Sequence, residues 1–297
     1  MEQAKAWQGT TGGGSFGQRA MLGIFRYADV RLGYFIVALT VPFYMLGRRR
    51  NAGAIYRYFR QRHGYGRMRS LWAVYRNHCI FGNMMIDRFA CYAGHAGRFR
   101  TSIDGEERFD RLTAGEDGFL MGSAHAGNFE MAGYLLQQDR KEIYGLIYEG
   151  EAAVVQQQRH RILTGHRIGM IPVRDDLSHV FRMRQVLAEG DIVCMPCDRR
   201  WGSAKSFRLP LLGREADFPA GPFAVAAQLD KAMIAIFAMK TGAWSYTVHV
   251  RDLSDGLDRT LPVRQQAGLL AARYVAALEE MLRKYPLQWF NFYDFWN

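Results

Sequence analysis

From about residue 100 onward, short apolar runs alternate with segments whose apolar positions recur at helical spacing. The apolar runs are typical of buried strands, and the periodic segments are typical of helices packed on a sheet. Strands are predicted at 118–124, 142–148, 169–173, 191–197, 232–239 and 244–250, and helices at 130–138, 151–163, 176–189, 221–229 and 262–284. Strands that alternate with helices in this way usually form one parallel sheet. The pattern therefore predicts an α/β fold with a mostly parallel central sheet flanked by helices.

The pattern before residue 100 is different. Residues 1–16 are rich in glycine and polar residues, which predicts a flexible lead-in. Residues 52–94 carry apolar positions at helical spacing, with arginines at many of the other positions. We therefore expect three parts: the lead-in 1–16, a membrane-associating, helical N-terminal region 17–99, and an α/β domain 100–297.

The apolar segment 33–47 has basic residues on both sides and contains Pro42. A straight membrane span needs about 20 apolar residues, so this segment is short for crossing a bilayer. Arginines on both flanks fit a segment that dips into one leaflet and keeps its guanidinium groups at the lipid phosphates. The alternative is an ordinary buried core helix.

Composition and charge narrow the choice of partner. The chain has a net charge of +11, and residues 1–100 contain 16 Lys and Arg against 3 Asp and Glu. Such an excess points to an anionic partner, such as lipid headgroups or an acidic carrier protein, although a basic solvated surface is the alternative. No nucleic-acid motif is present, and we expect no nucleic-acid partner. Hydrophobic residues at 49% exclude intrinsic disorder, and four unevenly spaced cysteines exclude a disulfide scaffold.

The strongest candidate chemistry lies just after the strand predicted at 118–124. His125 would stand at the carboxyl end of that strand, where α/β sheets place their sites. Gly127 permits a tight backbone turn, and Asn128 is a good N-cap for the next helix. Glu130 in the first turn could reach back to the imidazole and orient a general base. A core histidine beside a capped helix is the structural alternative.

This block resembles a known family. His125-Ala-Gly-Asn-Phe-Glu130 is similar to the H-x4-D/E block of the lysophospholipid acyltransferase-like superfamily, in the form typical of its lipid A late acyltransferase branch. Three further blocks resemble the family in the same order: 169–174 ending in Arg174, 196–213 with Asp198, Arg199 and Arg200, and 218–222 with Gly221. The resemblance runs from about residue 7 to 297 and makes 100–297 an acyltransferase domain.

The resemblance implies an enzyme that moves a fatty acyl chain from an acyl thioester to a hydroxyl of a lipid or glycolipid. His125 would be the general base, Glu130 would hold its imidazole, and Gly127 and Asn128 would lie at the oxyanion. The residues implied to bind substrate are Arg174, Asp198, Arg199, Arg200 and Gly221, with Asp198 orienting one of the arginines. Acyl carrier protein or coenzyme A would carry the donor chain, and no metal or prosthetic cofactor is implied. The expected location is the cytoplasmic face of a bacterial inner membrane.

Several alternatives stay open from the sequence. The third block lacks the Glu-Gly-x-Arg form of glycerolipid acyltransferases, which argues against a glycerol-3-phosphate acceptor. The tail 289–296 resembles predicted acyltransferases of the superfamily whose acceptors could be other than lipid A, and an amine acceptor is a further alternative. A thioesterase or lipid hydrolase would use the same base on water, and a basic membrane-binding protein would need no base at all. The aromatic tail 285–296 is expected to pack on the domain, with an acyl groove or a membrane belt as its other possible use.

Overall fold

The computed structural model describes residues 29–136, 140–148, 168–173, 176, 178–199 and 205–296. The predicted lead-in 1–16, the helix expected at 151–163, Arg174 and Arg200 lie outside these residues.

A seven-stranded sheet forms the centre of the protein, in the order β1-β9-β8-β2-β5-β3-β4. Its strands are β1 (Arg100–Asp104), β2 (Phe119–Ser123), β3 (Ile143–Tyr148), β4 (Ile168–Val173), β5 (Ile192–Pro196), β8 (Met233–Gly242) and β9 (Ser245–Asp252). Each neighbouring pair is parallel except β8 with β9. A separate antiparallel hairpin joins β6 (Ser206–Leu211) to β7 (Arg214–Pro219). The predicted α/β class with a mostly parallel sheet is confirmed.

Helices pack on the sheet, and the first three of them precede its first strand in the chain. They are α1 (Val30–Gly47), α2 (Arg49–Arg62), α3 (Arg67–Ala90), α4 (Glu106–Ala114), α5 (Phe129–Leu135), α6 (Ser178–Ala188), α7 (Gly221–Gln228) and α8 (Val263–Lys284). The core consists of two clusters, because successive residues of a strand point to opposite faces. In β2, Leu120 belongs to one cluster while Phe119 and Met121 belong to the other. Both faces of the central strands are therefore buried, which is why these strands read as continuous apolar runs.

Three elements were not predicted, and their sequences explain why. Strand β1 lies at the sheet edge and is mostly exposed, with Ile103 as its one apolar side chain. Helix α4 is short and largely charged. The β6–β7 hairpin mixes charged residues with Pro210, and its turn places Leu212 and Gly213 at φ of 50° and 78°. Strand β1 and helix α4 carry too few apolar residues to mark an element. Phe207, Leu209 and Leu211 do alternate along β6, but Pro210 within that run counts against a strand.

The long helical stretch expected at 52–94 is divided into α2 and α3. The chain turns between them at His63–Gly66, where Gly64 has φ of 65°. Buried residues of both helices, including Ile55, Phe59 and Val74, belong to the same cluster as the sheet residues. The N-terminal helices therefore pack directly on the α/β domain.

Helix α1 covers the predicted apolar segment and is mostly exposed. Its outward side chains are Leu32, Phe35, Ile36, Leu39, Phe43, Tyr44 and Leu46, each more than half exposed. By its length and composition, α1 could cross a membrane. A single such helix near the N-terminus is weak evidence for a membrane span. Only 17% of its residues are buried, so α1 is not the buried core helix that was the alternative.

A buried polar network fastens α1 to the domain. Tyr34 of α1, Lys240 of β8 and Tyr246 of β9 all donate hydrogen bonds to the carboxylate of Asp87, which is fully buried. Burial raises the pKa of Asp87 and lowers that of Lys240, and each charge opposes the shift of the other. The apolar helix is thus held to the sheet by a specific set of donors around one carboxylate.

His63, at the C-terminal end of α2, should make the free energy of unfolding depend on pH. His63 packs against the ring of Tyr58 with 4.7 Å between centroids, and no described residue forms a hydrogen bond with its Nε2. Burial and the charges of Arg283 and Arg69 lower the pKa of His63 to about 4. An unfolded imidazole takes its proton near pH 6.5, so between pH 6.5 and 4 the unfolded state binds more protons.

We therefore expect the free energy of unfolding to fall as the pH drops from 6.5 to 4. After allowing for solvent screening, His63 should account for about 1–2 kcal/mol of this loss. Urea unfolding of wild type and His63→Gln across this range measures the effect. The stability difference between the two proteins should change by that amount, and parallel pH curves would contradict the prediction.

Candidate active site

The site is built where two neighbouring parallel strands end. Strands β2 and β5 pair in register, with Ser123 opposite Pro196, and the Cys197 amide donates to the Ser123 carbonyl at 2.8 Å. His125 follows the first strand and Asp198 follows the second. The register therefore brings these two side chains together at the carboxyl edge of the sheet.

His125 and Asp198 form a closely bonded pair. Nδ1 of His125 lies 2.7 Å from Oδ1 of Asp198, and the His125 amide donates to Oδ2 at 2.9 Å. The indole Nε1 of Trp289 donates to the same Oδ2 at 3.3 Å. A carboxylate acceptor requires the imidazole proton on Nδ1, which leaves the lone pair on Nε2. Among the described residues Nε2 has no hydrogen-bond partner, and the side chain is 26% exposed.

Asp198 is fully buried, and its charge is compensated locally. Burial alone would raise the pKa of this carboxyl group, but the charge and hydrogen bond of His125 and the charge of Arg199 hold it below its ordinary value. Asp198 is therefore an ionised group that can stabilise positive charge on the imidazole.

Glu130, which the sequence assigned to the imidazole, makes a different contact. It lies in the first turn of α5 and forms an ion pair with Arg88 of α3. The carboxylate at Nδ1 is that of Asp198, which the sequence had assigned to orienting an arginine. In this structure Asp198 is the carboxylate bonded to Nδ1, while Glu130 links α5 to α3.

Gly127 and Asn128 shape the loop between β2 and α5. Gly127 has φ of 66°, and a Cβ there would lie 2.2 Å from the Ala238 carbonyl oxygen, so only glycine fits. The amide of Gly127 donates to Gln288, and that of Asn128 donates to Ala238.

The side chain of Asn128 is buried away from the imidazole and does not cap α5. Its Nδ2 lies 3.3 Å from both the Met84 carbonyl oxygen and Tyr246 Oη. The predicted N-cap bond is therefore absent, and the donors expected at an oxyanion are already bound within the protein.

Of the other predicted binding residues, Arg199 and Gly221 are described, and neither makes a described hydrogen bond to His125. Arg199 donates to Oδ1 of Asn291 at 2.9 Å and to the Phe290 carbonyl at 2.8 Å, so it holds the C-terminal tail in this structure. Gly221 begins α7, and no described hydrogen bond joins it to His125. Arg174 and Arg200 lie outside the described residues.

The C-terminal tail contributes more to the site than its sequence indicated. Trp289 is almost fully buried and pairs with Ala126 as a β-bridge. The Phe290 amide donates to the His125 carbonyl at 2.9 Å. The tail therefore packs on the domain, as expected, and does so directly on the histidine loop. Its dense aromatic content was the one sequence signal for this contact.

No cluster of three or more His, Cys, Asp or Glu that could hold a metal ion occurs among the residues described. The chemistry available to these residues is that of a base backed by a buried carboxylate.

Comparison with known proteins identifies the family. No curated protein sequence matches the chain significantly. The family model described as bacterial lipid A biosynthesis acyltransferase matches residues 77–297, which include the whole sheet, the His125–Asp198 pair and the tail that packs on it. The chain thus belongs to the bacterial lipid A biosynthesis acyltransferase family and is an acyltransferase.

Proposed function

We propose that this enzyme transfers a fatty acyl chain from an acyl thioester to a hydroxyl group of a lipid or glycolipid, with His125 as the general base. The observation that carries this proposal is the His125–Asp198 pair, which fixes the imidazole through Nδ1. Nε2 is left without a partner in the described part of the chain. A base held in this way is suited to taking a proton from an acceptor hydroxyl.

The proposed reaction follows from that geometry. Nε2 of His125 takes the hydroxyl proton as the hydroxyl oxygen attacks the thioester carbonyl. The tetrahedral intermediate collapses with loss of the thiolate, which takes the proton back from the imidazolium. Asp198 stabilises the imidazolium while it exists, and it acts as a positioning residue because it reaches the substrate only through His125.

Glu130 takes a second positioning role in this proposal. Its ion pair with Arg88 fixes the first turn of α5 against α3. Because α5 follows the histidine loop directly, this ion pair would limit the movement of His125. Gly127 and Asn128 hold the same loop from its other side, through Gln288, Ala238 and Tyr246.

We further propose that the enzyme works at the cytoplasmic face of a bacterial inner membrane, as a peripheral or monotopic protein or one held by a single N-terminal anchor. The exposed apolar side chains of α1 and the three arginines that follow it at 48–50 support this location. The basic N-terminal region would serve anionic lipid headgroups, an acidic acyl carrier protein or coenzyme A.

A transfer assay tests the proposed function. Wild-type protein is incubated with extracted bacterial lipids and a radiolabelled acyl chain carried on acyl carrier protein or coenzyme A. Labelled lipid and labelled free fatty acid are then separated and counted. We expect a labelled lipid, whose ester or amide linkage is read from its sensitivity to mild alkali. Labelled free acid without labelled lipid would favour a hydrolase, and no turnover with either donor would contradict the proposal.

A further inference from the structure

A cavity of about 200 Å³ lies between helix α2 and the C-terminal tail. None of the functions derived above uses it. Its walls are aromatic and its charged residues are mainly basic. The residues that carry the inference are Arg57, Arg62, Arg214, Asn291, Asp294 and Trp296.

The cavity carries uncompensated positive charge. Arg57 and Asp294 form a bidentate ion pair, in which Nε and Nη2 of the arginine donate to the two carboxylate oxygens at 2.8 and 2.7 Å. The two charges neutralise each other. Neither Arg62 nor Arg214 has an acidic partner among the residues described. Arg62 and Arg214 both line the cavity, and burial and the nearby charge of Arg214 lower the pKa of Arg62 below its ordinary value. Two guanidinium groups that line one cavity without acidic partners favour an anion there.

A buried hydrogen-bond donor points to the same ligand. Asn291 is 3% exposed, and its Oδ1 accepts from Arg199, which fixes the orientation of the amide. Its Nδ2 has no acceptor among the residues that the structure describes. An unmet buried donor is costly, typically about 1–3 kcal/mol, so such a group usually has a partner. An oxyanion in the cavity that Asn291 lines would supply the acceptor.

The aromatic walls shape the cavity and connect it to the active site. The guanidinium of Arg62 lies 5.1 Å from the ring centre of Trp296, which restricts its position. Trp289 lines the cavity and also donates to Asp198. One indole thus separates the basic cavity from the His125–Asp198 pair.

We propose that this cavity binds a phosphate ester, with Arg62, Arg214 and the Asn291 amide as its ligands. A phosphate group matches two guanidinium groups and one amide donor in charge and in acceptor oxygens. Two sources could present it: the headgroup of a lipid acceptor or the phosphates of a thioester donor. In either case the site would hold a substrate beside the base, and the inference concerns binding alone.

Tryptophan fluorescence of the full chain in detergent tests the site, because Trp289 and Trp296 line the cavity. The probes are inorganic phosphate, coenzyme A and dihexanoyl phosphatidic acid, each titrated at constant ionic strength. We expect saturable binding that weakens at least tenfold in Arg214→Gln and further in the Arg62→Gln, Arg214→Gln double variant. Arg264→Gln is the matched control, because Arg264 is an exposed arginine in the first turn of α8 and outside the cavity.

The pattern of probes identifies the source of the phosphate. Weakened binding of coenzyme A alone assigns the site to the donor, and weakened binding of phosphatidic acid alone assigns it to a lipid headgroup. Equal binding by wild type and Arg214→Gln, with the same thermal unfolding midpoint, would overturn the proposal, as would a lack of saturable binding by all three probes. The assay involves no turnover, so these outcomes are independent of whether the acyl-transfer proposal holds.

Discussion

Replacing His125 with alanine is expected to lower kcat for acyl transfer by about 10³–10⁴-fold, toward the upper end of what a positioned general base contributes. The variant keeps the backbone amide that bonds Asp198 but loses the Nε2 lone pair. A neutral lipid hydroxyl is a poor nucleophile, so loss of the base affects the chemical step itself. KM should change much less than kcat, because the imidazole contributes little to binding of the acyl chain or the headgroup.

The measurement compares initial rates of wild type, His125→Ala and a matched control, His95→Ala, with the same donor and lipid. His95 ends the short π-helical turn at Cys91–His95, in the segment that follows α3. Its variant should retain wild-type turnover. A folded His125→Ala enzyme that keeps more than a tenth of the wild-type rate would contradict the role of this histidine.

Some of this site could be predicted because its signals are local. His125 follows an apolar run that is buried at every position, so the strand end and the residue after it follow from hydropathy alone. The strands β2, β5, β8 and β9 were predicted within a few residues for the same reason. The helix expected at 130–138 runs from Phe129 to Leu135.

The partner of His125 could not be predicted because it depends on the order of strands in space. Asp198 follows β5, which is the third strand after β2 in the chain but its direct neighbour in the sheet. Glu130 is five residues from His125, so a prediction based on sequence spacing selects it as the partner of the imidazole. The helix that starts at Phe129 instead places Glu130 next to Arg88. The carboxylate bonded to the imidazole belongs to Asp198, which lies 73 positions from His125 in the chain.

The contacts between the C-terminal tail and the site could not be predicted from the sequence for a related reason. Trp289 reaches the histidine loop through a β-bridge to Ala126 and an indole bond to Asp198. Aromatic density predicts burial but not the surface against which a segment packs. The same holds for Asp87, whose buried network joins α1, β8 and β9 through residues that no local pattern relates.

The assignment of the two carboxylates leads to the second large effect. We expect Asp198→Asn to lower kcat by about 10²–10⁴-fold, because the amide can place its own donor at Nδ1 and favour the wrong imidazole tautomer. Glu130→Gln should cost less, about tenfold, because it weakens an ion pair with Arg88 that acts on the loop indirectly. The two substitutions are matched, since each changes one carboxylate to its amide.

The pH dependence of kcat/KM separates an electrostatic role of Asp198 from a merely structural one. Without the buried negative charge, positive charge on the imidazole is less stabilised, so the acid limb of the Asp198→Asn profile should move to lower pH. Glu130→Gln should lower the rate without moving that limb. If Glu130→Gln instead caused the larger loss and the shifted profile, Glu130 would be the carboxylate that serves His125 during turnover. The pairing with Asp198 would then describe a resting arrangement of the loop.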